Sequence, residues 1–188
     1  MTKIIMIRHG QTDFNKNGII QGIKDIPLND TGLKQANEVS QELKNYKFDV
    51  FISSPLKRAY KTLDIIKNNL GYSNDNILIM NDFIERNFGK LDGTFIDKAH
   101  DLLQENNYKL FNGESNEEIK DRVINGLNKV IDSYKDKTIL IASHSHVIKT
   151  ILIYYNVYKN YNFSWSNASF LELNYNDTKF ENILIYKN

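Results

Sequence analysis

His9 sits between Arg8 and Gly10 in the stretch Arg8-His9-Gly10-Gln11-Thr12-Asp13-Phe14-Asn15, directly after the apolar run Lys3–Ile7. An imidazole at the end of a buried strand is a nucleophile on a rigid support. When neutral, with its other ring nitrogen donating to a backbone carbonyl, it can attack phosphorus in line. Arg8 beside it offers a planar fork of donors that matches phosphate. Gly10 is expected to leave room for a substrate to approach the backbone. A strand end with an incidental histidine is the plainer alternative.

Three further stretches carry chemistry of the same kind. Ser53-Ser54-Pro55-Leu56-Lys57-Arg58-Ala59 opens a helix, and free N–H groups at a helix start attract anions. Arg58 in that first turn opposes the helix dipole, a placement that suits an arginine facing phosphate better than a solvated one. Lys57 reads as surface. The loop Asp82-Phe83-Ile84-Glu85-Arg86-Asn87-Phe88-Gly89-Lys90-Leu91-Asp92-Gly93 supplies Glu85, a candidate to protonate a leaving oxygen and then deprotonate water. That role needs burial or a nearby anion to raise its pKa. A Glu85–Arg86 loop salt bridge is the alternative, and Asp82 is a rival acid. Ala142-Ser143-His144-Ser145-His146-Val147 supplies His144, which as an imidazolium would hold a phosphoryl oxygen. His144 and His146 also form an H-x-H pair able to ligate a metal, but no third ligand stands at suggestive spacing. His100 reads as exposed on a peripheral helix.

These residues need elements to bring them together. Lys3–Ile7, Phe48–Ser53, Ile77–Met80 and Thr138–Ala142 are near-continuous apolar runs, the pattern of strands covered on both faces. Ser169–Tyr175 partly alternates and suits a strand near an edge, with Asn182–Tyr186 a last candidate. Leu33, Ala36, Val39 and Leu43 recur at helical spacing, as do Leu56, Ala59, Leu63, Ile66 and Leu70. For the second of these, Ser54 is expected to cap and Pro55 to take the first helical position. Ser115 and Glu118 make a capping box before Ile119, Val123, Leu127, Val130 and Tyr134. A shorter helix covers Val147–Tyr155. The order is β, α, β, α, β, an irregular stretch, then α, β, α, β. This predicts one domain over residues 1–188, an α/β sandwich with a mostly parallel sheet. In such sheets ligands bind beyond the carboxyl ends of the strands, where the four stretches fall.

Composition narrows the field. Acidic and basic residues nearly cancel, 23 against 24, so the net charge is +1. Nothing in that balance draws the whole molecule to nucleic acid or to anionic lipid. The absence of cysteine excludes disulfides, zinc–thiolate sites and thiol nucleophiles. The apolar start is too short for a signal peptide or a membrane span, and a cytoplasmic protein without membrane partners is expected.

Together the stretches resemble the histidine phosphatase superfamily, the phosphoglycerate mutase-like family. Arg8-His9-Gly10 with Thr12 and Asn15 is similar to its opening. Ser53-Ser54-Pro55 with Arg58-Ala59 is similar to its second motif. Glu85 with Phe88-Gly89 and Asp92-Gly93 resembles its acid loop, and Ser143-His144 its late histidine. Gly113-Glu114-Ser115 before a helix is familiar from its smaller phosphatases. The likeness spans nearly the whole chain. It departs where Ser145 replaces the usual glycine after the late histidine.

The resemblance implies a three-layer α/β/α sandwich whose mostly parallel sheet holds one antiparallel strand. It implies His9 as nucleophile and Glu85 as proton donor. Arg8, Arg58 and His144 would grip the phosphoryl group, and Asn15, Gln21 and Gly22 would line its site. No metal ion or other cofactor is implied. The partner is a small phosphate ester, with α-ribazole phosphate, a sugar phosphate, phosphoserine and a phosphoglycerate as candidates. Mutases of the family are longer and carry inserted segments that close over the substrate. The short stretch between Glu85 and Ser115 therefore favours a phosphatase, with a mutase as the alternative and a non-catalytic binding module as a third reading. Substrate choice is expected from Asp92–Phe111, including Asn106, Asn107, Tyr108 and Lys109, and from Tyr161–Asn167. Phe163 and Trp165, as exposed aromatics, would serve a homodimer.

Overall fold

A strand that reads Ile4-Ile5-Met6-Ile7 has no polar face to give to water, so it must lie between two layers. In the computed structural model, which describes residues 1–99, 108–176 and 179–186, all four of these side chains are fully buried. They belong to β1 (Thr2–Arg8). The other strands are β2 (Val50–Ser53), β3 (Ile77–Ile79), β4 (Thr138–Ser143), β5 (Phe170–Asn176) and β6 (Lys179–Tyr186). They form one six-stranded sheet in the order β3-β2-β4-β1-β5-β6. β3, β2, β4 and β1 pair in parallel, and β5 is antiparallel to both of its neighbours, β1 and β6.

Helices cover both faces. Among them are α1 (Asp13–Lys16), α2 (Asp30–Glu42), α3 (Lys57–Asn69), α4 (Asn116–Ser133) and α5 (Ser145–Tyr154). Ile5 and Ile7 pack with Val39 of α2 and with Leu63 and Ile66 of α3. On the other face Ile4 and Met6 pack with Ile119, Val123 and Leu127 of α4 and with Ile148 and Ile151 of α5. Each fully buried aliphatic side chain contributes about 1.5–3 kcal/mol of transfer free energy. The two faces of β1 thus fix its place in the middle of the sheet. Among the described residues no helix is long and apolar enough to cross a membrane.

Two expectations shift. The helix carrying Arg58 begins at Lys57, with Leu56 as N-cap and no side-chain cap. Ser54 is not the cap because its hydroxyl serves two other groups: it accepts from the Leu56 N–H at 3.3 Å and meets the His144 ring at 2.7 Å. β5 lies next to the edge strand β6, near the edge as its partial alternation suggests. Its polar residues Glu172 and Asn174 are buried because they are paired: Glu172 takes Lys3 at 2.9 Å and the Tyr46 hydroxyl at 2.7 Å, and Asn174 bonds Glu172. Trp165 is only 2% exposed and Phe163 packs against the core, so Trp165 offers no surface to a second subunit. The Ser115–Glu118 capping box forms as expected.

Candidate active site

Register places the chemistry. In β1 and β4, Arg8 pairs with Ser143, and the His9 N–H continues the ladder to the Ser143 carbonyl at 3.0 Å. In β2 and β4, Ser53 pairs with Ala142, and the Ser54 N–H reaches the Ala142 carbonyl at 3.0 Å. Residues 9, 144 and 54 therefore leave three adjacent strand ends side by side. The rings of His9 and His144 lie 5.2 Å apart, centre to centre.

The His9 ring is fixed by two contacts. Its Nδ1 lies 2.7 Å from the Gly10 carbonyl, which only a protonated Nδ1 can satisfy. Arg58 Nε donates to His9 Nε2 at 3.2 Å, so Nε2 carries the lone pair. Burial, then Arg58 and then Arg8, hold His9 well below the ordinary histidine pKa, against a smaller upward effect of the Gly10 bond. His9 is a neutral imidazole with Nε2 as its basic atom.

Arg58 is fully buried. Besides His9 it donates to the Lys24 carbonyl at 2.6 Å and to the Gly22 carbonyl at 2.8 Å. Burial lowers it to about 10, so it stays charged at neutral pH. Arg8 donates to the Trp165 carbonyl and is likewise lowered by burial to about 10. Gly22 holds φ +48°, and a Cβ there would lie 1.8 Å from an Asp92 carboxylate oxygen. Only glycine fits.

Glu85 enters from the loop after β3. Its Oε1 accepts from the Arg86 N–H at 2.9 Å and the His146 N–H at 3.2 Å. Those bonds and the charges of Arg58 and Arg8 favour the carboxylate, yet burial outweighs them and raises its pKa. The loop is braced from α4. Arg122 donates to the carbonyls of Asp82 and Ile84 at 2.8 and 2.9 Å and forks onto Glu114 at 2.8 and 2.9 Å. Arg86 turns away from the Glu85 carboxylate and donates to the Glu114 carbonyl. Asp82, the rival acid, faces Lys129 at 2.9 Å on the outer side.

His144 corrects one expectation. Burial, Arg58 and the neighbouring rings and cations hold it far below the ordinary histidine pKa, so it is neutral rather than an imidazolium. In one of the two tautomers this contact allows, Ser54 Oγ, which accepts from the Leu56 N–H, donates its hydroxyl hydrogen to His144 Nε2. That assignment places the ring hydrogen on Nδ1, a buried atom with no partner among the described residues. The H-x-H pair separates: His146 packs against the rings of Phe88 and Tyr161 instead. Among the described residues no three His, Asp or Glu side chains cluster as metal ligands would.

A cavity of about 630 Å³ opens over this centre, with Arg8, His9, Asn15, Gln21, Gly22 and Glu85 in its wall. Arg58 and His144 lie beneath that wall. Thr12 caps the short helix α1 in a box with Asn15 and donates to Gln21 Oε1 at 2.9 Å. Asn15 Oδ1 also accepts from Asn167 Nδ2 at 3.1 Å. With their oxygens engaged, the amides of Asn15 and Gln21 keep their NH₂ ends for the cavity.

A family model of the histidine phosphatase superfamily (branch 1) matches residues 4–187. The chain belongs to this superfamily. Among its relatives is the uncharacterized phosphatase PhoE of Bacillus subtilis, 39% identical over 152 residues, which are 81% of this chain and 76% of that one. Phosphoglycerate mutase-like protein 4 of Arabidopsis thaliana is 33% identical over 161 residues, 79% of this chain and 69% of that protein. The crystal structure of an Entamoeba histolytica phosphoserine phosphatase in complex with 3-phosphoglyceric acid aligns with a TM-score of 0.85 at 28% identity, covering 100% of this chain and 98% of that one.

Other positions of this histidine phosphatase superfamily member were harder to foresee. Gly10 makes a close approach to the protein's own backbone: a Cβ there would lie 2.4 Å from the Gly32 carbonyl oxygen. Thr62 receives the Gly10 N–H at 3.0 Å and donates to the Arg58 carbonyl at 2.7 Å, tying nucleophile strand to helix. Asn167 donates to the His9 carbonyl at 3.0 Å. Lys149, on α5, lines the cavity, although its sequence context reads only as an interruption of an apolar run. A lysine on the core-facing stripe of a helix was the signal. Lys109 is exposed and pairs with Glu118, and Lys57 pairs loosely with Asp25 at the surface. Tyr108 and the stretch from Tyr161 to Ser164 do line the cavity. His100, Asn106 and Asn107 lie outside the described residues.

Proposed function

We propose that residues 1–188 act as one domain that hydrolyses small phosphomonoesters through a phosphohistidine on His9. The observation that carries this reading is the tautomer of His9, with Nδ1 tied to the Gly10 carbonyl and an unprotonated Nε2 accepting from Arg58. Nε2 attacks phosphorus, the P–O bond to the leaving group breaks, and protonated Glu85 gives its proton to the departing oxygen. Water then attacks the phosphohistidine while Glu85 takes one of its protons. Inorganic phosphate leaves and His9 returns neutral. Arg8, Arg58 and the Nδ1–H of His144 meet the equatorial oxygens, where the transition state carries its charge. Asn15, Gln21 and the Gly22 backbone complete the phosphate cradle. No step calls for a metal ion.

A mutase would return the phosphoryl group to a second hydroxyl, and the likeness to a phosphoglycerate mutase-like protein keeps that outcome in view. The short stretch between Glu85 and Ser115 favours water as the acceptor. Release of inorganic phosphate from 3-phosphoglycerate, set against exchange between phosphoglycerate isomers, separates the two. The central test is a rapid quench with ³²P-labelled substrate. Acid-labile, base-stable label on the wild-type protein, absent from a folded His9→Ala variant, is expected. Turnover without such label at any time point refutes the covalent route.

A further inference from the structure

The turn Trp165–Ser169, just ahead of β5, wraps the end of β1 from the side opposite β4. The Arg8 N–H donates to the Ser169 carbonyl at 3.0 Å, and the Arg8 guanidinium donates to the Trp165 carbonyl. The Ala168 N–H is shared between the Arg8 and His9 carbonyls at 3.2 and 3.3 Å. Ala168 does this at φ +58°, in the left-handed region that favours glycine. Its methyl group is fully buried in the cluster of Ile7 and Phe170, so packing holds a strained residue beside the reacting centre. What the turn delivers there is Asn167. Its Nδ2 donates to the His9 carbonyl at 3.0 Å and to Asn15 Oδ1 at 3.1 Å. The acceptors fix which way both amides face. A backbone carbonyl can only accept, so the NH₂ end of Asn167 faces His9, and the Asn15 atom that meets it is the oxygen. The Thr12 N–H, 3.2 Å from that same oxygen, demands the same assignment.

We infer that Asn167 is a positioning residue that locks the phosphate-facing amide of Asn15 to the backbone of the nucleophile, so that both meet the phosphoryl group in one fixed geometry. This rests on the phosphatase reading above and adds a residue that acts through two others. Asn167 stands outside the cavity wall, whereas His9 and Asn15 are in it. An amide suits the task because its NH₂ has two hydrogens for the two acceptors. Serine offers one and leucine none. Arg8 and Arg58 attract phosphate by charge whether or not the lock is intact. The lock is therefore felt mainly as phosphorus moves between the leaving oxygen and His9 Nε2, when the alignment of nucleophile and donors decides the rate.

Asn167→Leu keeps the size and removes both donors. In that variant kcat falls by about 10- to 100-fold while KM stays within about threefold. Asn167→Ser, a milder change in case the first variant does not fold, loses kcat in the same way, and melting curves run alongside. The deciding measurement is a double-mutant cycle with Asn15→Ala. Once the amide it holds is gone, Asn167→Leu costs kcat less than about threefold. A merely structural role would leave its full effect in both backgrounds, and that result overturns the inference. So does wild-type kcat in a folded Asn167→Leu or Asn167→Ser protein. Dissociation constants of orthovanadate and inorganic phosphate read the lock without turnover. Asn167→Leu weakens vanadate, which mimics the trigonal state, by about tenfold or more, and phosphate by less than about threefold. Equal weakening of the two anions overturns the lock alone. Selective weakening of vanadate, with no ester hydrolysed by the wild-type protein, supports the lock while refuting the phosphatase reading. Wild-type protein that binds neither anion overturns both.

Discussion

Arg58 couples fold and chemistry, so its removal has two separable consequences. In Arg58→Met the carbonyls of Lys24 and Gly22 lose donors now at 2.6 and 2.8 Å. Each buried acceptor left unsatisfied costs about 1–3 kcal/mol, and with water recovering part of this the pair costs roughly 2–4 kcal/mol. For a chain of this length 1 kcal/mol moves Tm by about 2–4 °C, so a fall on the order of 5–15 °C is expected. The chemical consequence is larger. Loss of a preorganised donor aimed at the transferring group lowers kcat/KM by about 10²- to 10³-fold. The pH profile carries a third signature. After burial, Arg58 is the largest cause of the lowered His9 pKa. Neutral His9 is the attacking form, so kcat/KM falls as pH drops through its pKa. Without Arg58 that pKa rises toward the ordinary value, and the acid limb moves to higher pH. Steady-state rates across pH, with thermal unfolding followed in parallel, read all three. A variant that melts as expected yet keeps kcat/KM within tenfold and an unmoved acid limb would show that Arg58 only holds the loop, and the reasoning would fail.

Glu85→Gln keeps the shape and removes the proton. With an alkyl phosphate, kcat/KM should fall by about 10²- to 10⁴-fold, and an aryl phosphate with a good leaving group should lose far less. Glu85 is raised above the ordinary carboxyl pKa and acts protonated, so the wild-type rate declines as pH rises through that value and the variant lacks the limb. Equal losses for both esters would remove Glu85 as the acid. Gly10→Ala forces a methyl group against the Gly32 backbone, an overpacking that costs about 1–3 kcal/mol. A Tm loss of several degrees and impaired turnover are expected, and an unchanged melting curve would contradict the contact.

Much of this was legible in the residues themselves. The four parallel strands read as apolar runs because both faces are covered, and Ile4 to Ile7 meet helices on each side. β5 reads correctly as a strand near an edge, but its polar residues are satisfied inside, by Lys3 and Tyr46, and local sequence carries no record of partners 126 or more residues away. The start of α3 misled for a similar reason. Ser54 has the chemistry of a cap, but a histidine 90 residues later also claims its hydroxyl. The four stretches around His9, Arg58, Glu85 and His144 converge because each follows a strand. Thr62, Asn167 and Lys149 did not announce themselves, since their value lies in which backbone atoms or cavity they reach. The charge state of His144 could not be read from composition either. It follows from burial among cations.

The order of the sheet sets a timetable for synthesis. β1 is made first but sits in the middle, between β4 and β5, whose residues begin at 138 and 170. At about 5–20 residues per second, the ribosome needs roughly 6–26 s after finishing β1 to reach the first strand able to flank it. Throughout that interval Ile4, Ile5, Met6 and Ile7 have no sheet neighbour. Substitutions that slow elongation or delay β4 should therefore lower soluble yield well before they alter the finished molecule.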